Sequence, residues 1–319
     1  MTNDDFVLIT GTANLMLAKA VGKNLKKEVL ETAKRFADGE IRIKIPKTVR
    51  GKRVFILQPT CPPVNNNLME LLFMIDAARR ASATEITAVI PYFGYSRQDR
   101  KEQPRVPISV ALVADLIEHS GASRVVTVDI HSEQQQGFIK IPWDNLYASY
   151  SLVPVLKRTF TPIKSGLVIA SPDKNGVPRA TAYARLLNAE SVAIVYKERD
   201  IKTENVSQAL ELIGDVKGKE VLLVDDMIDT AGTLVGAVEL LQKKGAKSIS
   251  AAVTHGLFSP PALQRINDSL LKEVYVTDTI NIDGQKLAGK IKVVSVAKLL
   301  AEAIKCIYTG ESISKKLFP

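Results

Sequence analysis

Residues 221–233 read VLLVDDMIDTAGT and are the most informative stretch of the chain. The apolar run 221–224 is rich in β-forming residues and has the length of a buried parallel strand. The residues after this stretch have the apolar spacing of an amphipathic helix that ends at Gly245. The loop 229–233 is therefore predicted to lie between the carboxyl end of a strand and the amino end of a helix.

The small polar loop consists of Asp229, Thr230, Ala231, Gly232 and Thr233, and we call it the phosphate loop. At the start of a helix, unpaired N–H groups and about half a positive charge of helix dipole point at one spot. Small residues let a phosphate approach the backbone there. The loop contains no lysine, so it is not the lysine-containing loop that grips the terminal phosphates of a nucleotide.

Two carboxylates, Asp225 and Asp226, stand between the predicted strand and the phosphate loop. They would repel a phosphate placed beside them, so we expect them to accept hydrogen bonds from sugar hydroxyls or to hold a magnesium ion. A phosphorylated sugar satisfies both halves of this site. The alternative is an acidic turn that only ends a strand.

Length and composition indicate an ordinary globular enzyme. A chain of 319 residues with 46% hydrophobic and 24% charged residues can form two compact α/β domains. Cys61 and Cys306 are far apart in the sequence, which argues against a disulfide framework. The amino terminus is acidic, and no apolar run approaches the ~20 residues that span a bilayer. We therefore expect a cytoplasmic protein without a membrane segment. The formal charge of +9 comes from scattered lysines that attract anionic substrates, not from a nucleic-acid-binding face.

Strand and helix patterns alternate along the whole chain, which predicts an α/β fold with parallel sheets covered by helices on both faces. Residues 142–164 contain three prolines and no sheet pattern, so we expect two similar domains, 1–150 and 151–319. The last helix is a candidate to pack back on the N-terminal domain. The predicted strands lie near residues 6–9, 53–58, 85–92, 124–130, 167–171, 191–196, 220–225, 248–255 and 273–276, and the clearest helices near 67–81, 108–119 and 177–188.

The stretch 221–233 resembles the phosphoribosyl-diphosphate binding motif that type I phosphoribosyltransferases and ribose-phosphate pyrophosphokinases share. This resemblance implies two doubly wound domains of the type I phosphoribosyltransferase kind. It also implies that ribose 5-phosphate binds to Asp225, Asp226 and the phosphate loop. Other motifs must decide between the two families.

Residues 91–101 read PYFGYSRQDRK and follow an apolar strand. By themselves they fit a solvated basic loop, or a site where aromatics stack on a base while Arg97 and Gln98 bind its edge or the phosphates. The string is similar to the nucleotide loop of ribose-phosphate pyrophosphokinases. Residues 35–40, RFADGE, also resemble a segment of that family, which there reaches the adenine from a neighbouring subunit. The resemblance implies that ATP binds to Phe36, Asp38, Gly39, Glu40, Arg97, Gln98 and Asp99.

Two further strand ends carry candidate metal ligands, His131 and Asp173. A lone histidine is more often a structural hydrogen-bonding group, but its position at a strand end beside a nucleotide site favours a metal ligand. The family uses the matching residues on magnesium, which implies a Mg²⁺ cofactor here.

The chain departs from the family pattern beside both of these ligands. Ser132, Glu133 and Gln135 stand where the family usually has alanine, a variable residue and isoleucine. Lys174 and Asn175 precede Gly176, where the family generally has a variable residue and two glycines. An extra carboxylate in the first segment changes the charge near His131.

Lys197 and Arg199 are separated by one residue at the end of another predicted strand. A solvated loop is the simple interpretation. In ribose-phosphate pyrophosphokinases, however, a Lys-x-Arg at this place closes over the transferring phosphates, which implies that both residues are catalytic and that Arg199 also contacts ribose 5-phosphate. A transferase that consumes phosphoribosyl diphosphate needs no adenine site, so the combined motifs distinguish the two families.

The chain is therefore identified as a member of the ribose-phosphate pyrophosphokinase family, with class I-like motifs from about Phe6 to Phe318. The resemblance implies transfer of the β,γ-diphosphoryl group of ATP to the anomeric hydroxyl of ribose 5-phosphate, and assembly of copies into a hexamer. Three alternatives stay open: a phosphoribosyltransferase, a non-catalytic regulatory relative, and a nucleic-acid-binding protein.

Overall fold

The structure is a computed structural model that describes residues 6–160, 166–197, 210–282 and 289–317. These residues form two compact units. The first unit contains the chain up to Ala148, Thr279–Asn281 and the segment that begins at Ser295. The second unit contains Ser149–Asp278 and Ile282–Val294.

The strands of the first unit form a parallel sheet and a separate hairpin. In chain order they are β1 (Phe6–Thr10), β2 (Val29–Glu31), β3 (Ala33–Arg35), β4 (Ile41–Ile43), β5 (Arg53–Leu57), β6 (Glu85–Ile90), β7 (Arg124–Val128) and β8 (Trp143–Leu146). The sheet has the order β2-β1-β5-β6-β7-β8, and all of its pairings are parallel. Strands β3 and β4 pair with each other in antiparallel fashion.

Helices cover this sheet because each of them carries one apolar face. They begin with α1 (Leu15–Leu25), α2 (Val64–Arg80) and α3 (Ser109–Ser120). In α2, Leu68, Leu71 and Ile75 recur at helical spacing and are buried in the core of the unit. Helix α3 ends at Ser120, and the next residue, Gly121, has a φ of 118°, in the left-handed region that glycine adopts without strain.

The second unit repeats this plan with a larger sheet. Its strands are β9 (Leu167–Ser171), β10 (Ser191–Lys197), β11 (Leu210–Ile213), β12 (Glu220–Ile228), β13 (Ser248–Gly256), β14 (Leu271–Thr277) and β15 (Ile291–Val294). They pair in the order β11-β10-β9-β12-β13-β14-β15, with β11 antiparallel to β10 and the other pairings parallel. Its helices are α4 (Ser149–Thr159), α5 (Val177–Leu187), α6 (Gly232–Lys243) and α7 (Ala262–Asp268).

Two helices from late in the sequence, α8 (Ala297–Thr309) and α9 (Ile313–Leu317), belong to the first unit. The ring of Tyr308 lies 4.9 Å from the ring of Phe6 in β1. The Arg53 guanidinium donates a hydrogen bond to the Tyr308 carbonyl oxygen over 2.9 Å. Residues from early and late in the sequence therefore complete one core. No helix within the described ranges combines the length and the apolar character that a membrane span requires.

The predicted fold class, α/β with doubly wound parallel sheets, is confirmed, and all nine predicted strands are present. One expectation is wrong: residues 142–164 contain a strand, β8. The sequence of this strand, WDNL, has no apolar alternation because it contains two polar residues. Their side chains bind groups on and after β7. Asn145 Oδ1 accepts a hydrogen bond from the Ile130 N–H over 3.1 Å, and the Asp144 carboxylate binds Arg124.

The topology brings the predicted site residues to a few strand ends. Strands β10, β9 and β12 are parallel neighbours, so Lys197, Asp173 and Asp225 emerge at the same edge of the second sheet. Strands β6 and β7 are parallel neighbours in the first sheet, and the loops with Arg97 and His131 follow them. Carboxyl ends of parallel strands are where ligands bind in this class of fold.

Candidate active site

The carboxylate pair lies inside β12 and not beyond it, since this strand continues to Ile228. Asp226 is 6% exposed, and its N–H donates a hydrogen bond to Asp225 Oδ1 over 2.9 Å. Burial, and then the negative charge of Asp226, raises the pKa of Asp225 well above its usual range. Two neighbouring desolvated carboxylates repel each other, so a cation or hydroxyl donors placed there would stabilise the site.

Arg179 is a cation that lies near this pair, and the sequence analysis missed it. Its Nη1 lies 4.0 Å from Asp226 Oδ1, and its positive charge lowers the pKa of Asp225 against the larger effects that raise it. Arg179 stands in the first turn of α5, directly after the Asp173 loop. Strands β9 and β12 are adjacent, which places Arg179 near Asp226. The sequence feature that could have identified Arg179 is a cation shortly after the end of a predicted strand.

The phosphate loop joins β12 to α6 as predicted. Ala231 precedes the helix with φ of 62°, a left-handed conformation, and the first helical bond runs from the Val235 N–H to the Ala231 carbonyl oxygen over 3.0 Å. The amides before Val235 therefore have no acceptor within the helix. Arg265 Nη1 donates to the Thr230 carbonyl oxygen over 3.0 Å and fixes the middle of the loop.

Asp173 organises the turn between β9 and α5. Its Oδ1 accepts hydrogen bonds from the N–H groups of Asn175 and Gly176 over 2.8 and 3.0 Å. Gly176 has φ of −79°, so the turn requires no left-handed residue there. A Cβ on Gly176 would lie 2.5 Å from Ser171 Oγ, which explains why a glycine occupies this position. The departures at Lys174 and Asn175 are thus compatible with an ordered turn.

Lys197 is the last residue of β10, beside β9, and its backbone pairs with Leu210 of β11. This places Lys197 at the same sheet edge as Asp173. The position of the Lys197 side chain and the whole of Arg199 lie outside the described residues.

The loop after β6 begins with buried aromatic residues and ends with exposed polar residues. Arg97 and Gln98 are exposed, and Asp99 is half-buried. Tyr92 and Phe93 are 6% and 3% exposed. The interpretation that aromatics of this string stack on a base is therefore wrong for Tyr92 and Phe93, because these two side chains fill the core. The third aromatic, Tyr95, is half-buried.

The loop after β7 carries an exposed His131 and continues into a 3₁₀-helix, Glu133–Phe138. The His131 N–H donates to Ser96 Oγ over 3.1 Å, so the loops after β6 and β7 are in contact. Asp129 is 6% exposed with φ of 41°, and its carboxylate accepts a hydrogen bond from the Ala148 N–H over 3.1 Å.

The segment RFADGE forms the turn of the β3–β4 hairpin. Phe36 is 51% exposed, the Glu40 N–H donates to Asp38 Oδ1 over 3.0 Å, and Gly39 has φ of 94°. An exposed aromatic ring on a compact turn is available to a ligand or to another chain.

Glu70, a second residue that the sequence analysis missed, lies at the base of this hairpin with no exposed surface. Its carboxylate accepts hydrogen bonds from the Thr12 hydroxyl over 2.9 Å and from Gln58 Nε2 over 3.1 Å. Arg35 lies 4.0 Å from it. Glu70 therefore ties the hairpin to the ends of β1 and β5, a role that only the tertiary contacts reveal.

Comparison with known proteins shows the family of the chain. Residues 6–121 match the N-terminal domain of ribose phosphate pyrophosphokinase, and residues 190–318 match the phosphoribosyl synthetase-associated domain. The ribose-phosphate pyrophosphokinase of Caldanaerobacter subterraneus subsp. tengcongensis is 50% identical over 311 residues, which is 97% of this chain and 96% of the relative. The chain belongs to the ribose-phosphate pyrophosphokinase family.

Other relatives give the same result. The ribose-phosphate pyrophosphokinase of Wolinella succinogenes is 50% identical over 97% of this chain and 98% of its own length. The crystal structure of phosphoribosylpyrophosphate synthetase from Mycobacterium smegmatis has 40% sequence identity and a TM-score of 0.90, and the match covers 96% of this chain and 100% of that one. The family and the fold that the sequence motifs implied are thus confirmed.

The donor groups of this pyrophosphokinase family member fit a magnesium ion that arrives with a nucleotide. Within the described ranges, no group of three or more His, Cys, Asp or Glu side chains is placed to hold a metal by itself. Mg²⁺ usually takes one or two protein carboxylates together with substrate phosphates and waters, so such a group is not required. Asp173 uses Oδ1 for two backbone amides, and a carboxylate has further acceptor capacity for a cation.

Proposed function

We propose that the residues at the strand ends of the two units carry out the reaction of the ribose-phosphate pyrophosphokinase family. The reaction transfers the β,γ-diphosphoryl group of ATP to the anomeric hydroxyl of ribose 5-phosphate and yields phosphoribosyl diphosphate and AMP. The observation that carries the proposal is a desolvated carboxylate pair followed directly by a helix start with available amides. A phosphorylated sugar satisfies both of these features.

Ribose 5-phosphate is proposed to bind to the second unit. Its phosphate accepts hydrogen bonds from the amides of the phosphate loop, Asp229–Thr233, where the dipole of the 12-residue helix α6 favours an anion. Its 2- and 3-hydroxyls donate to Asp225 and Asp226. Arg179 favours the ionised form of Asp225, because its charge lowers the pKa of that carboxyl against the effects of burial and Asp226.

ATP is proposed to bind to the exposed end of the loop after β6, through Arg97, Gln98 and Asp99. The exposed ring of Phe36 supports a second contact with the base, from the β3–β4 hairpin of a neighbouring copy with Asp38, Gly39 and Glu40. In this arrangement one copy supplies the phosphate contacts and another the adenine contacts.

The transfer itself requires positioning and charge neutralisation more than covalent chemistry. The anomeric hydroxyl attacks the β-phosphorus in line, AMP leaves, and Lys197 and Arg199 bind the oxygens that gain negative charge. His131 and Asp173 are the proposed protein ligands of Mg²⁺, which supplies further positive charge to the phosphates when it is bound.

Self-assembly is supported by exposed apolar residues in the first unit. Met69 and Phe73 on α2 are each 42% exposed, and Leu112 and Leu116 on α3 are 60% and 41% exposed. Each pair has i,i+4 spacing, so its members lie on one side of their helix. Single exposed apolar residues are common on protein surfaces, but a patch of several is a feature of contact surfaces. We propose that copies meet there, in the hexamer that the family resemblance implies, and that the protein works in the cytoplasm, where its free cysteines stay reduced.

Product identification tests the proposal. The purified protein is incubated with ATP, Mg²⁺ and ribose 5-phosphate, and the phosphorus NMR spectrum is followed. AMP and a sugar-linked diphosphate are expected in equal amounts. Formation of ADP would mean transfer of one phosphoryl group and would refute the proposed reaction. In a separate incubation with phosphoribosyl diphosphate and a free base, consumption of both would identify a phosphoribosyltransferase if the first incubation forms no AMP.

A further inference from the structure

Two buried polar residues connect the loops after β6 and β7. Ser96 stands immediately before Arg97 in the first loop. Gln135 lies in the 3₁₀-helix of the second loop, four residues after His131. Ser96 is 4% exposed and Gln135 has no exposed surface, so neither residue is available to a ligand.

The hydrogen bonds of this pair are reciprocal. Gln135 Nε2 donates to the Ser96 carbonyl oxygen over 2.7 Å, and the Ser96 hydroxyl donates to Gln135 Oε1 over 2.9 Å. The same hydroxyl accepts the N–H of His131 over 3.1 Å. Both ends of the amide and both functions of the hydroxyl are therefore used. Exchange of the amide oxygen and nitrogen would break two bonds, which fixes the orientation of the Gln135 side chain.

A polar pair at this place has a consequence that an apolar pair would not have. An apolar side chain such as isoleucine at position 135 would fill space through contacts without a preferred direction. Hydrogen bonds hold their partners within a narrow range of distance and angle. Because one bond ends on the Ser96 backbone and another on the His131 backbone, the pair fixes these two backbone segments relative to each other.

We propose that Ser96 and Gln135 are positioning residues that hold Arg97 and His131 in register for MgATP. The inference rests on the proposed function of these two loops. The pair acts through the backbone of its neighbours, since its own side chains are buried. Loss of either side chain is thus expected to loosen the nucleotide site and to leave the ribose 5-phosphate site in the second unit unchanged.

The variants Ser96→Ala and Gln135→Met, alone and together, test this inference. Ser123→Ala is a matched control, because Ser123 also links β6 and β7 through a hydroxyl that makes two hydrogen bonds. Its Oγ accepts the Ile86 N–H over 2.8 Å and donates to the Ile86 carbonyl oxygen over 3.0 Å. These contacts lie at the amino-terminal ends of the two strands, away from Arg97 and His131.

The first measurement uses the protein without nucleotide. Hydrogen exchange of the His131 amide is expected to be at least about tenfold faster in Ser96→Ala and Gln135→Met than in the wild type, because the acceptor of this N–H is removed or released. The exchange rate in Ser123→Ala is expected to stay unchanged.

The second measurement separates the substrates. The KM for MgATP is expected to rise about tenfold in each single variant, while the KM for ribose 5-phosphate changes by less than about twofold. The double variant is expected to raise the KM for MgATP by less than the product of the two single effects, because each single variant already loses the hydrogen bond between Ser96 Oγ and Gln135 Oε1. If Gln135→Met does not fold, Ser96→Ala alone decides, since it removes a single oxygen atom.

The outcomes are distinguishable. A wild-type protein that forms no AMP refutes the proposed function and this inference with it. An active wild type whose Ser96→Ala variant matches Ser123→Ala in exchange and in both KM values refutes this inference alone. Equal increases of both KM values also refute it, because they indicate a general loss of structure.

Discussion

Replacement of Arg179 by glutamine tests whether the carboxylate pair of β12 depends on its neighbouring cation. Arg179 Nη1 lies 4.0 Å from Asp226 Oδ1, and the two side chains are 21% and 8% exposed. At about 4 Å and an effective dielectric constant of about 20, two unit charges attract by about 4 kcal/mol. Arg179→Gln removes this attraction and leaves the buried Asp226 carboxylate beside that of the partly exposed Asp225. We expect it to lower the free energy of unfolding by about 3–5 kcal/mol at neutral pH.

The matched control is Arg80→Gln. Arg80 Nε lies 2.6 Å from Asp76 Oδ2, a shorter distance than in the Arg179 pair, but the side chains are 74% and 34% exposed. Solvent screening limits such a pair to about 1 kcal/mol or less. Urea unfolding of the wild type and of both variants, followed by circular dichroism, measures the difference between the two substitutions.

The loss at Arg179 is also expected to depend on pH. The folded pKa of Asp225 is raised, so its stabilising contribution is complete below the unfolded pKa and is lost as the pH rises through the folded pKa. Without Arg179 this folded pKa rises further. Arg179→Gln should therefore cost less stability at pH 5 than at pH 8, and the acid limb of kcat/KM for ribose 5-phosphate should move to higher pH. An equal loss at both pH values with an unmoved acid limb would refute the reasoning.

Three further predictions concern the remaining parts of the site. Gly94→Ala places a Cβ 2.4 Å from the Thr60 carbonyl oxygen. It should therefore lower the free energy of unfolding by about 1–3 kcal/mol, as measured by urea unfolding. It should also raise the KM for MgATP in steady-state kinetics. Lys197→Ala should lower kcat by about 10³-fold and change the KM for ribose 5-phosphate by less than about twofold, because its role is confined to the transferring phosphates. Phe73→Lys places a charge among exposed apolar residues and should dissociate the assembly, as measured by light scattering after size-exclusion chromatography.

Each of these predictions has a control or a contradicting result. Gly137→Ala meets no atom within 4 Å and should leave stability and KM unchanged. Near-normal turnover of Lys197→Ala would remove this residue from the catalytic role. Leu270, 62% exposed in the second unit, lies outside the proposed contact surface, so Leu270→Lys should leave the assembly intact. A similar loss of assembly in both lysine variants would contradict the surface.

The sequence predicted the central strands well because they are continuous apolar runs. Val221, Leu222, Leu223 and Val224 each expose at most 1% of their surface. Such runs are typical of parallel strands covered on both faces. The strands that were missed, such as β8 and the three-residue β2, carry polar residues or are short, and their pairing depends on neighbours that are distant in the sequence.

The site was predictable where its residues are contiguous and was not predictable where it depends on packing. The phosphate loop lies at the helix start that its sequence indicated. By contrast, nothing local distinguishes Tyr92, which is buried, from an aromatic residue that binds a base. The partners of Arg179 and Glu70 come from other strands and helices, so their roles follow only from the sheet order.

The return of α8 to β1 determines when the first unit can be finished during protein synthesis. Phe6 contacts Tyr308, and Arg53 also binds Tyr308, so this part of the core needs residues that the ribosome adds after the whole second unit. The unit whose strands are translated first is thus completed last. Until then the side chain of Phe6 on the first strand lacks its contact with Tyr308. Chaperones bind such exposed apolar surfaces of nascent chains.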